Sequence, residues 1–175
     1  MNKIKQHLLS GVFISTFCFA SGANAEGVYA GFSLGNASLD ESEIDSAVGW
    51  KLFGGYEVSD NIAIEGGYTS FGEMDISDFW YSATLEITGF ELAAVGSYPI
   101  NDQLSLLGKL GFLRWDAEFD FSGLGSVSTS GTDIFFGLGG QYNLSDNLDV
   151  RATWERYTVE DTDADLLSAS VVYSF

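Results

Sequence analysis

The charged residues that share strand faces are the groups in this chain able to do chemistry together. Lys51, Lys109 and Arg151, with Glu57, Glu65, Glu91 and Glu155, alternate along the sequence with apolar residues, so they fall behind an apolar face. Cations and carboxylates crowded into one interior support either a closed network of ion pairs or a narrow, water-filled path for ions. The network is the expected state, because an unpaired buried charge costs several kcal/mol. It would fill and plug the space it occupies.

Other chemistries are excluded by what the mature chain lacks. Lys3 and Lys5, the apolar run Leu8–Ala20 and the small residues Ala23-Asn24-Ala25 form a secretory signal with cleavage after Ala25. Residues 1–25 would be removed, leaving 150 of the 175 as one domain, 26–175. The only histidine, His7, and the only cysteine, Cys18, leave with the signal. Disulfides, thiolate or histidine catalysis and His/Cys metal sites go with them. No cofactor is expected and no enzyme. Five basic residues then face 25 acidic ones, a formal charge of −20, which makes nucleic acid an unsuitable partner.

Those interior charges need walls, and the walls read as strands. Alternation of period two runs through Val28–Gly35, Gly49–Val58, Ile62–Thr69, Leu85–Tyr98, Leu104–Trp115, Asp133–Asn143, Leu148–Tyr157 and Leu167–Phe175. The residues that make the apolar faces, among them Phe32, Leu52, Phe90, Leu110, Phe136 and Trp154, are uncharged; the opposite faces carry Lys51, Glu57, Glu65, Glu91, Lys109, Asp133, Asp149, Arg151 and Glu155. A soluble sandwich or lipocalin-like barrel would bury the apolar face. Here strand after strand ends in tyrosine, and the last, Leu167-Ser-Ala-Ser-Val-Val-Tyr-Ser-Phe175, ends the sequence on aromatics. That arrangement suits lipid outside and charge inside, in a closed barrel with no free edges in the bilayer.

The connections alternate in length. Ser59-Asp60-Asn61, Pro99–Asp102 and Ser145-Asp146-Asn147 are tight turns. Asn36–Val48, Gly72–Thr84, Asp116–Thr132 and Thr158–Asp165 are long polar loops. Short turns belong to the periplasmic side and long loops to the outside. The form Tyr-x-(Val/Ile/Leu)-x-Asp-x-(Ile/Leu) recurs at Tyr56, Tyr98 and Tyr142, spaced 42 and 44 residues apart. With Tyr173 and Phe175, these tyrosines are expected to form the inner interfacial girdle.

The stretches Phe53-Gly-Gly-Tyr-Glu-Val, Glu65-Gly-Gly-Tyr68, Phe71-Gly-Glu-Met74, Tyr98-Pro-Ile-Asn-Asp-Gln-Leu, Lys109-Leu-Gly, Gln141-Tyr and the Ser-x-Val-x-Tyr-Ser-Phe ending resemble the transmembrane barrel of the OmpA family of Gram-negative bacteria. The resemblance covers nearly all of 26–175. It implies an all-β, eight-stranded antiparallel up-and-down barrel in the outer membrane, in a short form without the peptidoglycan-binding domain. It implies outer-membrane lipid and lipopolysaccharide as surroundings, with periplasmic chaperones and the barrel-assembly machinery as partners during biogenesis. It also implies interior roles for Glu65, Lys109 and Arg151. The lysine and glutamate that give the best-known member an alternative internal pairing correspond to Val95 and Gln141 here, so a gate that switches partners does not carry over.

The expected role is structural and surface-interactive. Two alternatives stand beside it. One is a small-solute or ion channel through the lumen. The other is an adhesin or host-interaction protein, using the loop acids and the aromatics Phe71, Phe79, Trp80, Tyr81, Phe119 and Phe121, which otherwise read as an outer belt or rim packing. Arg114 and Arg156 are placed near the same rim, within reach of anionic headgroups. Asp161-Thr-Asp-Ala-Asp165 begins like a calcium loop but lacks the glycine and glutamate such a loop needs, so it reads as solvated surface.

Overall fold

The computed structural model describes residues 27–39, 46–78, 81–121, 125–159 and 162–175; the expected signal, 1–25, and the first-loop acids Asp40, Glu41, Glu43 and Asp45 lie outside them. Eight strands follow one another: β1 Val28–Leu39, β2 Ala47–Ser59, β3 Ile62–Asp78, β4 Tyr81–Pro99, β5 Leu104–Phe121, β6 Gly125–Ser145, β7 Leu148–Val159 and β8 Thr162–Ser174. Each pairs antiparallel with its neighbour, and β1 pairs with β8, so the sheet closes as an up-and-down barrel.

Period-two alternation decides which way each side chain points. On β2, Val48, Trp50, Leu52 and Tyr56 are exposed, while Lys51 and Phe53 between them are buried. The same holds for Phe90, Leu92, Leu110, Phe112, Phe136 and Leu138. A continuous apolar band faces outward. An eight-stranded barrel has an interior just wide enough for its own side chains.

The strands run further outward than hydropathy predicts. Gly72–Thr84 and Asp116–Thr132, expected as loops, are mostly paired strand: β3 meets β4 out to Asp78↔Tyr81, and β5 meets β6 out to Phe121↔Gly125. β4 and β5 also stay paired out to Ala83↔Phe121. Along these stretches alternation in hydropathy fades while backbone pairing continues. β2 leaves β3 after Trp50↔Ser70, and β7 leaves β6 after Phe135↔Tyr157. A four-stranded sheet, β3 to β6, therefore stands above the barrel.

A bulge sets where that sheet departs. The β3–β4 register shifts between Ser70 and Glu73, and Gly72 there has φ +85°. A Cβ at Gly72 would lie 2.5 Å from the Val48 carbonyl oxygen, so only glycine fits this position.

The periplasmic turns are short and similarly tied. Asn61 accepts from the Ser97 N–H at 2.9 Å and donates its side-chain amide to the Ser97 carbonyl at 3.0 Å. Asn147 makes the same two bonds to Ser174, at 3.0 and 2.9 Å. In the middle turn the Gln103 carbonyl accepts from the Asn143 N–H at 2.8 Å, and Asn101 Oδ1 accepts from the N–H groups of Gln103 and Leu104.

Candidate functional site

The lumen holds the chain's convergent charges. Arg151 on β7 reaches Glu65 on β3 at 2.5 Å. Glu65 also meets Lys109 of β5 at 2.6 Å. Lys109 lies 3.1 Å from Glu155 of β7, and Glu155 lies 2.5 Å from Lys51 of β2. Lys51 ends on Glu91 of β4 at 2.9 Å. The six charges thus form one chain in which cation and carboxylate alternate, running from the periplasmic end toward the outside. All six are buried. Three cations balance three carboxylates, so the buried network carries no net formal charge.

Neutral groups complete it. The Tyr157 hydroxyl accepts from Lys51 Nζ at 2.9 Å and lies 2.8 Å from Glu91 Oε1 and 2.9 Å from Glu155 Oε2, so its proton is shared between two carboxylates. Tyr29 donates to Glu65 at 2.8 Å, and Arg151 lies over its ring, 4.9 Å from the centroid. Thr69 donates to Glu91. Arg151 Nε donates to Gln141 at 2.7 Å, and Gln141 donates to Asp149 at 3.0 Å near the periplasmic mouth. Every charge has a partner, as a buried charge requires.

Apolar layers flank this chain. On the outer side Phe71, Ile87, Leu113, Trp115, Phe135 and Leu166 pack with Tyr157 into one buried cluster. Phe71 meets the Tyr157 ring edge-on at 5.0 Å, and Phe135 stacks on it at 4.8 Å. On the periplasmic side Tyr29, Phe53, Ala63, Val95, Leu107 and Val172 form a second cluster. Glycines directly across on the neighbouring strand let the larger rings lie flat against the wall. A Cβ at Gly55 would fall 2.1 Å from Tyr29 Cζ, one at Gly31 2.3 Å from Phe53 Cζ, and one at Gly131 2.7 Å from the Trp115 ring.

Two expectations are corrected. Glu57 has the inward parity but is exposed. It sits beside the β2–β3 register shift, where the lumen opens to water, and lines a small depression of about 50 Å³ with Asp60, Asp149 and Arg151 instead of joining the network. Phe71 is not a rim aromatic: it is 1% exposed inside the lumen. The side chains of Phe119, Phe121 and Tyr81, and residues Phe79 and Trp80, lie outside what is described. Lys51, Glu65, Glu91, Lys109, Arg151 and Glu155 are brought together. Tyr157 and Tyr29 were missed, although Tyr157 shares the inward parity of Glu155 on β7 and Tyr29 that of Ser33 on β1, whose hydroxyl meets Ser170 of β8.

On the outside of the barrel Tyr56, Tyr98, Tyr142, Tyr173 and Phe175 are all exposed at the turn end of their strands. At the opposite rim Arg156 pairs bidentately with Asp165 at 2.7 Å and meets Asp163 at 3.7 Å, so two of the three calcium-like acids are already engaged by a cation. Among the described residues no group of three His, Cys, Asp or Glu could hold a metal ion.

A match to the outer membrane protein beta-barrel domain family extends over residues 9–175. The chain belongs to that family. Outer membrane protein A of Salmonella typhi is 27% identical over 168 residues, covering 84% of this chain and 48% of that protein. Outer membrane protein A of Yersinia pseudotuberculosis is 30% identical over 141 residues, covering 73% and 40%. The chain spans about a third to a half of the length of the curated relatives it matches. Among solved structures, the barrel is similar to Ail, the attachment invasion locus protein of Yersinia pestis (TM-score 0.59, 22% identity, 85% of this chain and 97% of Ail). It is also similar to Neisserial surface protein A (TM-score 0.61, 18% identity, 85% and 96%). At these identities the likeness shows the fold. This member of the beta-barrel family resides in the outer membrane.

Proposed function

We propose that this chain is a closed barrel that reinforces the outer membrane and presents a rigid sheet outside the cell, without conducting. The observation that carries the reading is the filled lumen. An alternating chain of six paired charges is capped on both sides by apolar clusters. Opening a path for ions would require several pairs to separate and the Phe71–Tyr157–Phe135 stack to move at once. No catalytic or cofactor role belongs to this proposal. Removal of residues 1–25, escort by periplasmic chaperones and insertion by the barrel-assembly machinery do.

Planar-bilayer recording of the refolded protein tests the reading. Current at the empty-bilayer baseline is expected. Discrete steps that grow with salt concentration would sink it and favour the channel. Attachment to a host or neighbouring surface is a second component, favoured by the four-stranded sheet that stands clear of the barrel. Among the similar structures, Ail is an attachment invasion locus protein and has been seen with a heparin analogue. This chain's outward face is acidic, so a polyanion of that kind is not the ligand proposed for it.

A further inference from the structure

Neither edge of the sheet above the barrel is paired by a described residue along its outer part, and the two edges differ in charge. β7 accompanies β6 only to Phe135↔Tyr157, and β7 itself ends at Val159 in the hairpin to β8. From Thr132 to Gly125, β6 is bonded to β5 alone, in unbroken register. Alternate residues of such an edge turn N–H and C=O away from the sheet, so eight residues offer about four backbone pairs along ~25 Å. Exposed edges are ordinarily blunted by lysine, proline or a bulge. Gly125-Ser-Val-Ser-Thr-Ser-Gly-Thr132 has none of these and carries no charge. The opposite edge of the same sheet, Glu73–Asp78, carries Glu73, Asp75 and Asp78.

Charge decides what would pair there. The register places Glu73, Glu86, Glu118 and Ser128 in one row across the four strands, with Thr88, Asp116 and Ser130 in the next row toward the barrel. Glu86, Asp116 and Glu118 are exposed, and like charges directly opposite one another destabilise a sheet. Ser128 and Ser130 are short. A lysine or arginine on a strand added beside β6 would reach across them to Glu118 and Asp116, two strand spacings or ~10 Å away. A second copy of this chain would bring only Ser, Thr, Gly and Val127 to the edge, with no cation, and more acid behind it.

We propose that Gly125–Thr132 is a docking edge for an extended cationic segment of an extracellular protein. The segment adds as a fifth strand, with lysine or arginine at alternate positions on the acidic face. This deepens the surface-interaction reading and rests on it. Docking is read from the edge amides and closure from conductance, so the two can fail separately.

The test uses the whole refolded chain, isotope-labelled, in lipid nanodiscs, with the peptide Thr-Lys-Val-Lys-Thr-Lys-Val as probe and its Glu-for-Lys counterpart as control. Saturable shifts and slowed amide exchange at alternate residues between Gly125 and Thr132 are expected with the lysine peptide alone, weakening as salt rises. Asp116→Asn with Glu118→Gln should weaken binding about tenfold. Of Ser128→Pro and Thr129→Pro, the one that removes an outward N–H should weaken it further, with unboiled gel mobility confirming that each variant still folds. Three results would overturn the proposal: edge amides unchanged at millimolar peptide, equal binding of the glutamate peptide, or protection without peptide together with sedimentation as a dimer.

Discussion

Glu155→Gln is the sharpest probe of the lumen. Glu155 is 1% exposed and lies between Lys51 at 2.5 Å and Lys109 at 3.1 Å. Glutamine keeps its volume, so the change is electrostatic. Lys51 retains Glu91 at 2.9 Å and Lys109 retains Glu65 at 2.6 Å, but the network goes from neutral to one excess positive charge. Removing one partner of a buried pair costs ~3–5 kcal/mol. Because both lysines keep one carboxylate, the lower end, about 3 kcal/mol, is expected, or roughly a hundredfold in the folding equilibrium. Adding Lys109→Met restores neutrality and should recover about 1 kcal/mol or more of that loss. Urea unfolding and refolding in lipid vesicles, followed by tryptophan fluorescence and gel mobility, measures both variants. A loss below about 1 kcal/mol for Glu155→Gln, or no recovery in the double variant, would refute the reasoning. The charge would then be solvated, and the lumen would hold water where the apolar clusters are argued to exclude it.

Other outcomes follow from single contacts. Phe71→Ala should lose ~3–5 kcal/mol by opening a cavity beside Tyr157, yet leave bilayer current at baseline, because the ion chain beneath it stays closed. Gly55→Ala should lose ~1–3 kcal/mol, since its Cβ would overlap the Tyr29 ring. Gly108→Ala, whose Cβ would meet nothing within 4 Å, should be close to neutral in the same refolding assay. Asn61→Ala and Asn147→Ala should each lose about 1 kcal/mol from the side-chain bond to the neighbouring strand. Combined, these two losses should add, because they sit on separate turns.

Wherever one face met lipid, the fold was legible in the sequence. Alternation of Leu52 with Lys51 and Phe53, or of Trp154 with Glu155 and Arg151, is a direct record of outside and inside. Six of the seven charges with inward parity are the ones that the structure brings together. Glu57 failed because parity tells direction and not depth: an inward residue at the mouth meets water. Phe71 and Trp115 were harder. Hydropathy alternation ended near them: Phe71 read as lying beside a loop and Trp115 as the last residue of its strand, although Trp115 is buried and donates to Asp133 at 2.6 Å. The outer sheet was invisible for the same reason. Gly125–Thr132 is mostly Ser, Thr and Gly with no alternation beyond Val127, and only the register with β5 reveals it as strand. Tyr157 was missed for a different cause. Aromatics near strand ends read naturally as interfacial, and nothing in its residue type says that its hydroxyl joins two glutamates.

The three ties at the periplasmic turns divide the molecule into a part that must be conserved in length and a part that need not be. Each short turn is bonded to the end of a strand in the next hairpin, at Ser97, Asn143 and Ser174. Register is therefore set from below. A residue added at a turn would displace its tie and turn every side chain of the following strand to the wrong side of the wall. Residues added at the far tips, beyond Asp78 or Phe121, lengthen a hairpin whose alignment is already fixed. The barrel is in this sense a socket with interchangeable heads, and its outer hairpins are free to diverge in length and sequence while the charged interior stays in place.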